Sequence, residues 1–142
     1  MFDPLGMTSA VFEPDAAGTF VGSSFLFATA RDWARFGLLY AEGGRRLLPD
    51  GWVRFATTPT PLAPDGKYGA HWWLKLSKEL GGETPAAAKI PADAFHALGH
   101  EGQCVTVIPS RRLVVVRLGL SIDITAWDHA AFLAELLDAL PA

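Results

Sequence analysis

Residues 94–119 read AFHALGHEGQCVTVIPSRRLVVVRLG, and where glycine, proline and charge fall within this stretch decides the fold. Three extended runs, 95–99, 103–108 and 113–118, are separated only by HEG and PSRR. Connections this short close hairpins and are too short for a crossover, so the stretch predicts a three-stranded antiparallel meander. LVVVRLGL is nearly continuous in its apolar character, which predicts a central strand covered on both faces. Cys104, the only cysteine, sits in an alternating apolar run and reads as a small buried thiol. One cysteine allows no disulfide within the chain.

Working outward, TARDWARFGLLYAEGG at 29–44 carries the clearest helix signal. Thr29 is placed to cap, Asp32 follows three residues later, and Gly43 and Gly44 stop the helix, which is expected over 30–42. Its apolar face is read as Ala30, Trp33, Ala34, Gly37, Leu38 and Ala41. A second short helix is expected to begin near Pro49 and to end before the prolines at 59, 61 and 64. YGAHWWLKL at 68–76 alternates Tyr68, Ala70, Trp72, Leu74 and Leu76 with Gly69, His71, Trp73 and Lys75, the period of a strand with one buried face. Residues 77–93 are polar and rich in glycine and proline, and predict a surface excursion. WDHAAFLAELLDAL at 127–140 predicts a closing amphipathic helix that buries Phe132, Leu133, Leu136, Leu137 and Leu140. Residues 1–24 are broken by glycine and proline and read as loop with short extended pieces. The order of elements is α+β, in a single domain or fragment spanning residues 1–142.

Half of the 142 residues are apolar, enough for a real core. The net charge is -3 and the arginines are dispersed, which gives nucleic-acid binding no support. No apolar window reaches the length of a membrane span, and the first fifteen residues carry acids and prolines where an export signal needs a basic and then an apolar stretch. Localisation stays open.

The blocks FDPLGMTSAVF at 2–12, TARDWARFGLLYAEGGRRLLPDGWV at 29–53, YGAHWW at 68–73 and GHEGQCVTVIPSRRLVVVRLG at 99–119 resemble, in that order, the penicillin-recognising serine hydrolases. That superfamily includes serine β-lactamases, penicillin-binding proteins and 6-aminohexanoate-dimer hydrolase, and the last two blocks look most like the last of these. The resemblance implies the C-terminal portion of a β-lactamase-like fold, with the meander packed against helices. It also implies hydrolysis of small-molecule amides or esters through an acyl-enzyme, without metal or organic cofactor.

The family's nucleophile lies in S-x-x-K, followed by a Tyr-x-Asn or Ser-x-Asn element. Neither occurs here: no serine has lysine three positions on, and the chain contains no asparagine. The isolated chain is therefore expected to be inactive, with the nucleophile-bearing part upstream. A second reading, from another class, is a non-enzymatic module that self-associates through an uncovered sheet edge.

Taken alone, GHEG is an ordinary hairpin turn. With the resemblance, it stands where the family carries a K-T-G-type triad on the strand beside the active site. His100-Glu101-Gly102 is then either the triad equivalent or the turn just after it. The expected roles are His100 as a backbone oxyanion donor, Gly99 and Gly102 as shapers of the turn, and Trp72, Trp73 and Glu101 as substrate contacts. No metal site is expected, because His100-Glu101 lacks the second histidine of a zincin, and His96 with His100 flanks a glycine in a strand and turn. Ser23 and Ser24 read as loop residues, and Asp128-His129 as polar decoration of a helix start.

Overall fold

The chain begins with a short helix, α1 (Phe2–Leu5), and a two-stranded antiparallel ladder of β1 (Val11–Phe12) and β2 (Leu26–Phe27). Helices α2 (Ala30–Ala41) and α3 (Trp52–Ala56) follow, then β3 (Phe95–Leu98), β4 (Cys104–Ile108), β5 (Leu113–Arg117) and finally α4 (His129–Ala139). The computed structural model describes residues 1–45 and 47–141. Arg46, part of the second block of the resemblance, lies outside the described residues.

The meander is antiparallel in the order β3-β4-β5, with Leu98 opposite Cys104 and Cys104 opposite Arg117. The central strand is β4, not the run from 113 to 120. All five residues of β4 are buried, whereas β5 lies at the edge of the three and is mostly half-buried. Valine-rich sequence alone does not distinguish the two, because β5 is also covered on both faces, by α2 and by α4.

Those faces alternate as the pleat requires. Phe95, Val105 and Val107 pack with Leu39, Tyr40 and Trp72, joined by Ala97, Val114 and Val116. Val115 packs on the opposite face with Leu76, Leu80, Ala130 and Leu133. The buried residues of α2 are Asp32, Gly37, Leu39 and Tyr40; of the face expected, Gly37 is buried and Trp33 and Ala41 pack against the core, while Ala30 is exposed. Large aromatic side chains give that face its packing: Phe36, Tyr40, Trp72 and Phe95 form a chain of ring contacts.

The start of α2 is tied to the N-terminal segment. Thr29 Oγ1 accepts from the Asp32 N–H, while Asp32 accepts from both the N–H and the hydroxyl of Ser9 and pairs with Arg35. The Ser9 hydrogen bonds, more than the Arg35 charge, hold the Asp32 carboxyl below its usual range.

Several local expectations change. Residues 68–76 form no regular strand; they make single bridges, Tyr68 to Trp73 and Trp73 to His96, because His71 takes a positive φ of 65° and turns the chain back on itself. The alternation of burial survives, with Trp72 and Leu76 buried and His71, Trp73 and Lys75 exposed. Residues 77–93 are more than a surface excursion, since Leu80 is buried and Ala86, Ala87 and Ile90 pack beneath α4. On α4 the buried residues are His129, Ala130, Leu133, Ala134 and Leu137, while Phe132 and Leu140 are partly exposed. A helix lying across a sheet buries a stripe of small and branched residues, and here the bulky Phe132 is left to cover Trp127.

The helix α2 rests on the sheet through Gly37, where an added Cβ would stand 2.5 Å from Val114 Cγ1. Valine side chains on a packed sheet have little room to yield. Gly37→Val is expected to lower unfolding stability by about 1–3 kcal/mol in a urea titration. A midpoint equal to the parent's would mean that α2 does not approach the sheet this closely.

Candidate functional site

The turn that joins β3 to β4 ends the first meander strand. The Gly99 N–H donates to Gln103 O at 2.7 Å, and the Gln103 N–H donates to His100 O at 3.2 Å. Between them Glu101 and Gly102 both take left-handed conformations, with φ of 54° and 75°. Glycine adopts such an angle freely, but glutamate does so at a cost.

The pleat sets where the amides point. His96 exchanges both backbone hydrogen bonds with Trp73, at 2.7 and 2.9 Å, so its N–H faces away from β4. Alternation along the extended backbone puts the N–H groups of Leu98 and His100 on that same outer edge. Among the described residues neither has a backbone acceptor there. His100 carries an exposed side chain, and Glu101 Oε1 lies 3.4 Å from its Nε2.

Trp73 is 38% exposed and stands on this outer edge, with Tyr68 packed edge-on against it at 4.8 Å. Four residue steps of extended chain lead from His96 to His100, which sets Trp73 about 13 Å along the edge from the His100 amide. Trp72 is different. At 3% exposed it is a core residue within the ring chain above, and its expected contact with substrate gives way to packing.

Behind the edge lies a buried polar network that sequence reading missed. Thr106 Oγ1 is 2.9 Å from His96 Nδ1 and 2.9 Å from His129 Nε2. Trp127 Nε1–H donates to His129 Nδ1 at 3.3 Å. That donor settles the tautomers in sequence: His129 must donate from Nε2 to Thr106, and the Thr106 hydroxyl then donates to His96 Nδ1. Both rings are neutral. Burial, the largest cause in each, pushes His96 down to about 3 and His129 down to about 4. Burial also raises the Cys104 thiol to about 11, so this sulfur, 3.4 Å from His129 Nε2, is an inert packing group.

The network continues to the turn through Arg117. Its guanidinium lies 4.4 Å from the Trp127 ring centre, donates to Gly102 O at 2.7 Å and donates to Ser121 Oγ at 2.7 Å. The Ser121 N–H donates in turn to Glu101 O at 3.0 Å. His129 is therefore fully buried and structural, not polar decoration, while Asp128 caps α4 by accepting the Ala131 N–H at 2.8 Å. The sequence held a signal for this arrangement: Thr106 and Arg117 are the polar residues on the α4 side of two otherwise apolar strands, in register with His96 and Cys104.

Among the described residues no group of three or more His, Cys, Asp or Glu side chains gathers as a metal site. Ser23 and Ser24 are exposed, and neither is hydrogen-bonded to a histidine among the described residues. No helix is long and apolar enough to cross a membrane, again among the described residues.

The beta-lactamase family model matches residues 1–119. No curated protein matches the chain. Among solved structures, a "putative beta-lactamase from Bacteroides dorei DSM 17855" is 17% identical with a TM-score of 0.61, and the alignment covers 99% of this chain and 49% of that one. A "putative 6-aminohexanoate-dimer hydrolase from Bacillus anthracis" is 26% identical with a TM-score of 0.62, covering 94% of this chain and 35% of that one. The chain thus spans half or less of the length of these relatives.

The two buried imidazoles make stability depend on pH in a definite direction. Their folded values lie below the ordinary 6.5, so the unfolded chain takes up protons first as pH falls. Stability is full above about 6.5 and is lost from there down to about 4 for His129 and about 3 for His96, by on the order of several kcal/mol in all. Thermal melts between pH 7 and pH 4 read this loss. NMR of the folded chain at pH 5 is expected to show both rings still neutral, and a titration of His96 or His129 near 6.5 would contradict their burial.

Proposed function

The chain belongs to the beta-lactamase family, and on that premise we propose that its β3 edge and the 99–103 turn form one wall of the cleft of a serine hydrolase. The reaction is cleavage of a small-molecule amide or ester through an acyl-enzyme. A serine hydroxyl attacks the carbonyl carbon, its proton passes to a base and then to the leaving amine or alcohol, and water later releases the acid. The part of this chain is electrostatic. As the carbonyl oxygen takes up negative charge, the His100 N–H donates to it at the end of the strand.

The observation that carries this reading is the outward-facing His100 N–H, left without an acceptor among the described residues on a sheet edge whose turn is fixed from behind. Gly99 and Gly102 shape the turn that presents that amide, Gly102 through its left-handed φ of 75°. Glu101 and the exposed face of Trp73 line the same edge and supply contacts to the rest of the substrate. Nucleophile and base have no counterpart in residues 1–142, which contain no S-x-x-K.

A specific observation favours a second reading, self-association. Leu118, Leu120 and Ile122 are 42%, 72% and 86% exposed, and they continue from β5, whose outer edge no described strand pairs. Unpaired edges beside apolar surface recruit other chains.

The purified 142-residue chain is expected to leave a chromogenic ester unhydrolysed above the buffer rate and to take no label from a serine acylator. Turnover abolished by that acylator would overturn the division of labour proposed here. Light scattering after size-exclusion chromatography on the same sample tests the second reading: a dimer supports association through the β5 edge, and a monomer at high concentration removes it.

A further inference from the structure

The guanidinium of Arg117 occupies a slot built for it. One wall is Gly102, where an added Cβ would come within 2.9 Å of Nη1, and the other is Gly119, where an added Cβ would lie 2.6 Å from Cζ. Trp127 forms the roof at 4.4 Å. Arg117 forms no ion pair with any carboxylate among the described residues; its two hydrogen bonds go to the Gly102 carbonyl and to Ser121 Oγ. A half-buried cation that spends its donors on neutral acceptors is there to hold them, since guanidinium presents its N–H groups in a rigid planar fork.

The acceptors are informative. Gly102 O is held directly, and Glu101 O is held through the N–H of Ser121, so the two successive carbonyls of the left-handed residues are both fixed. Peptide planes are rigid, and fixing the carbonyls of 101 and 102 orients the amide planes that follow them. Left-handed glutamate is a strained choice that persists only when its surroundings determine it, and this clamp is what surrounds it.

We propose that Arg117 is a positioning residue for the 99–103 turn: seated between Gly102 and Gly119 under Trp127, it fixes two consecutive carbonyls and with them the Gln103 amide that donates to His100 O, and so holds in place the turn that carries the His100 N–H. The proposal rests on the hydrolase reading for its purpose and on geometry alone for its content. Thr106, His129 and Trp127 extend the clamp into the core, which makes the turn part of the rigid body rather than a free hairpin end.

Amide hydrogen exchange by NMR on the full 142-residue chain tests it. In Arg117→Lys the charge remains and the fork is lost. The Gln103 and Ser121 amides are then expected to exchange about tenfold faster or more, while Val105 and Val107 stay within about twofold of the parent. Gly119→Ala should do the same with arginine still present, because the new methyl evicts the guanidinium. Unchanged exchange at Gln103 and Ser121, or an equal acceleration throughout the sheet, would overturn the proposal. Should Arg117→Lys fail to fold, Gly119→Ala decides alone. Neither readout involves catalysis, so a negative result leaves the hydrolase reading standing, and ester hydrolysis by the chain alone would remove that reading without touching this one.

Discussion

The complete burial of β4 is the constraint from which the rest of the molecule follows. A strand with no exposed side chain must be matched on both faces, and its two faces here have different chemistry. Val105 and Val107 ask only for shape and receive it from Gly37, Leu39 and Tyr40 of α2 with the aromatic rings beyond them. Cys104, Thr106 and Ile108 point the other way, and Thr106 brings a hydroxyl that must be hydrogen-bonded once water is excluded. The histidines answer that demand, one from β3 and one from α4.

Satisfying a hydroxyl with two imidazoles has consequences beyond the core. Each ring must be neutral, each nitrogen must take a definite role, and the chain of donors has to start somewhere. It starts at Trp127 Nε1, which brings Trp127 over Arg117 and Arg117 onto the carbonyls of the 99–103 turn. A turn at the end of a short ladder would ordinarily fray. This one is anchored through the core to a helix that begins nearly thirty residues later. Such anchoring agrees with the role proposed above for the edge amide, because a donor held in advance need not reorganise.

Much of this was legible in the chain. Thr29 and Asp32 marked the start of α2 to the residue, and the short connections HEG and PSRR allowed only an antiparallel meander. The order of the four blocks pointed to a family that the match over residues 1–119 bears out. GHEG was recognisable as a hairpin turn. The buried network behind it was not, because His96, Thr106, Arg117 and His129 are spread over more than thirty positions, and each alone has an ordinary explanation. Residues 68–76 misled in another way: their alternation of burial is real, but His71 reverses the chain, and the same period describes two single bridges as readily as one strand.

The sequence by itself determined local matters: where α2 begins, that 94–119 holds three extended runs joined by tight turns, and that S-x-x-K is absent. These follow from interactions among residues a few positions apart, which periodicity and capping record directly. Only the tertiary structure decided which valine-rich strand is central, which of two adjacent tryptophans enters the core, and that an arginine near the end of β5 holds the turn before β4. The physical reason is that these outcomes are set by what packs against a residue from afar. Burial, tautomer and the partner of a guanidinium belong to the assembled layers, and no property of the neighbouring sequence carries them.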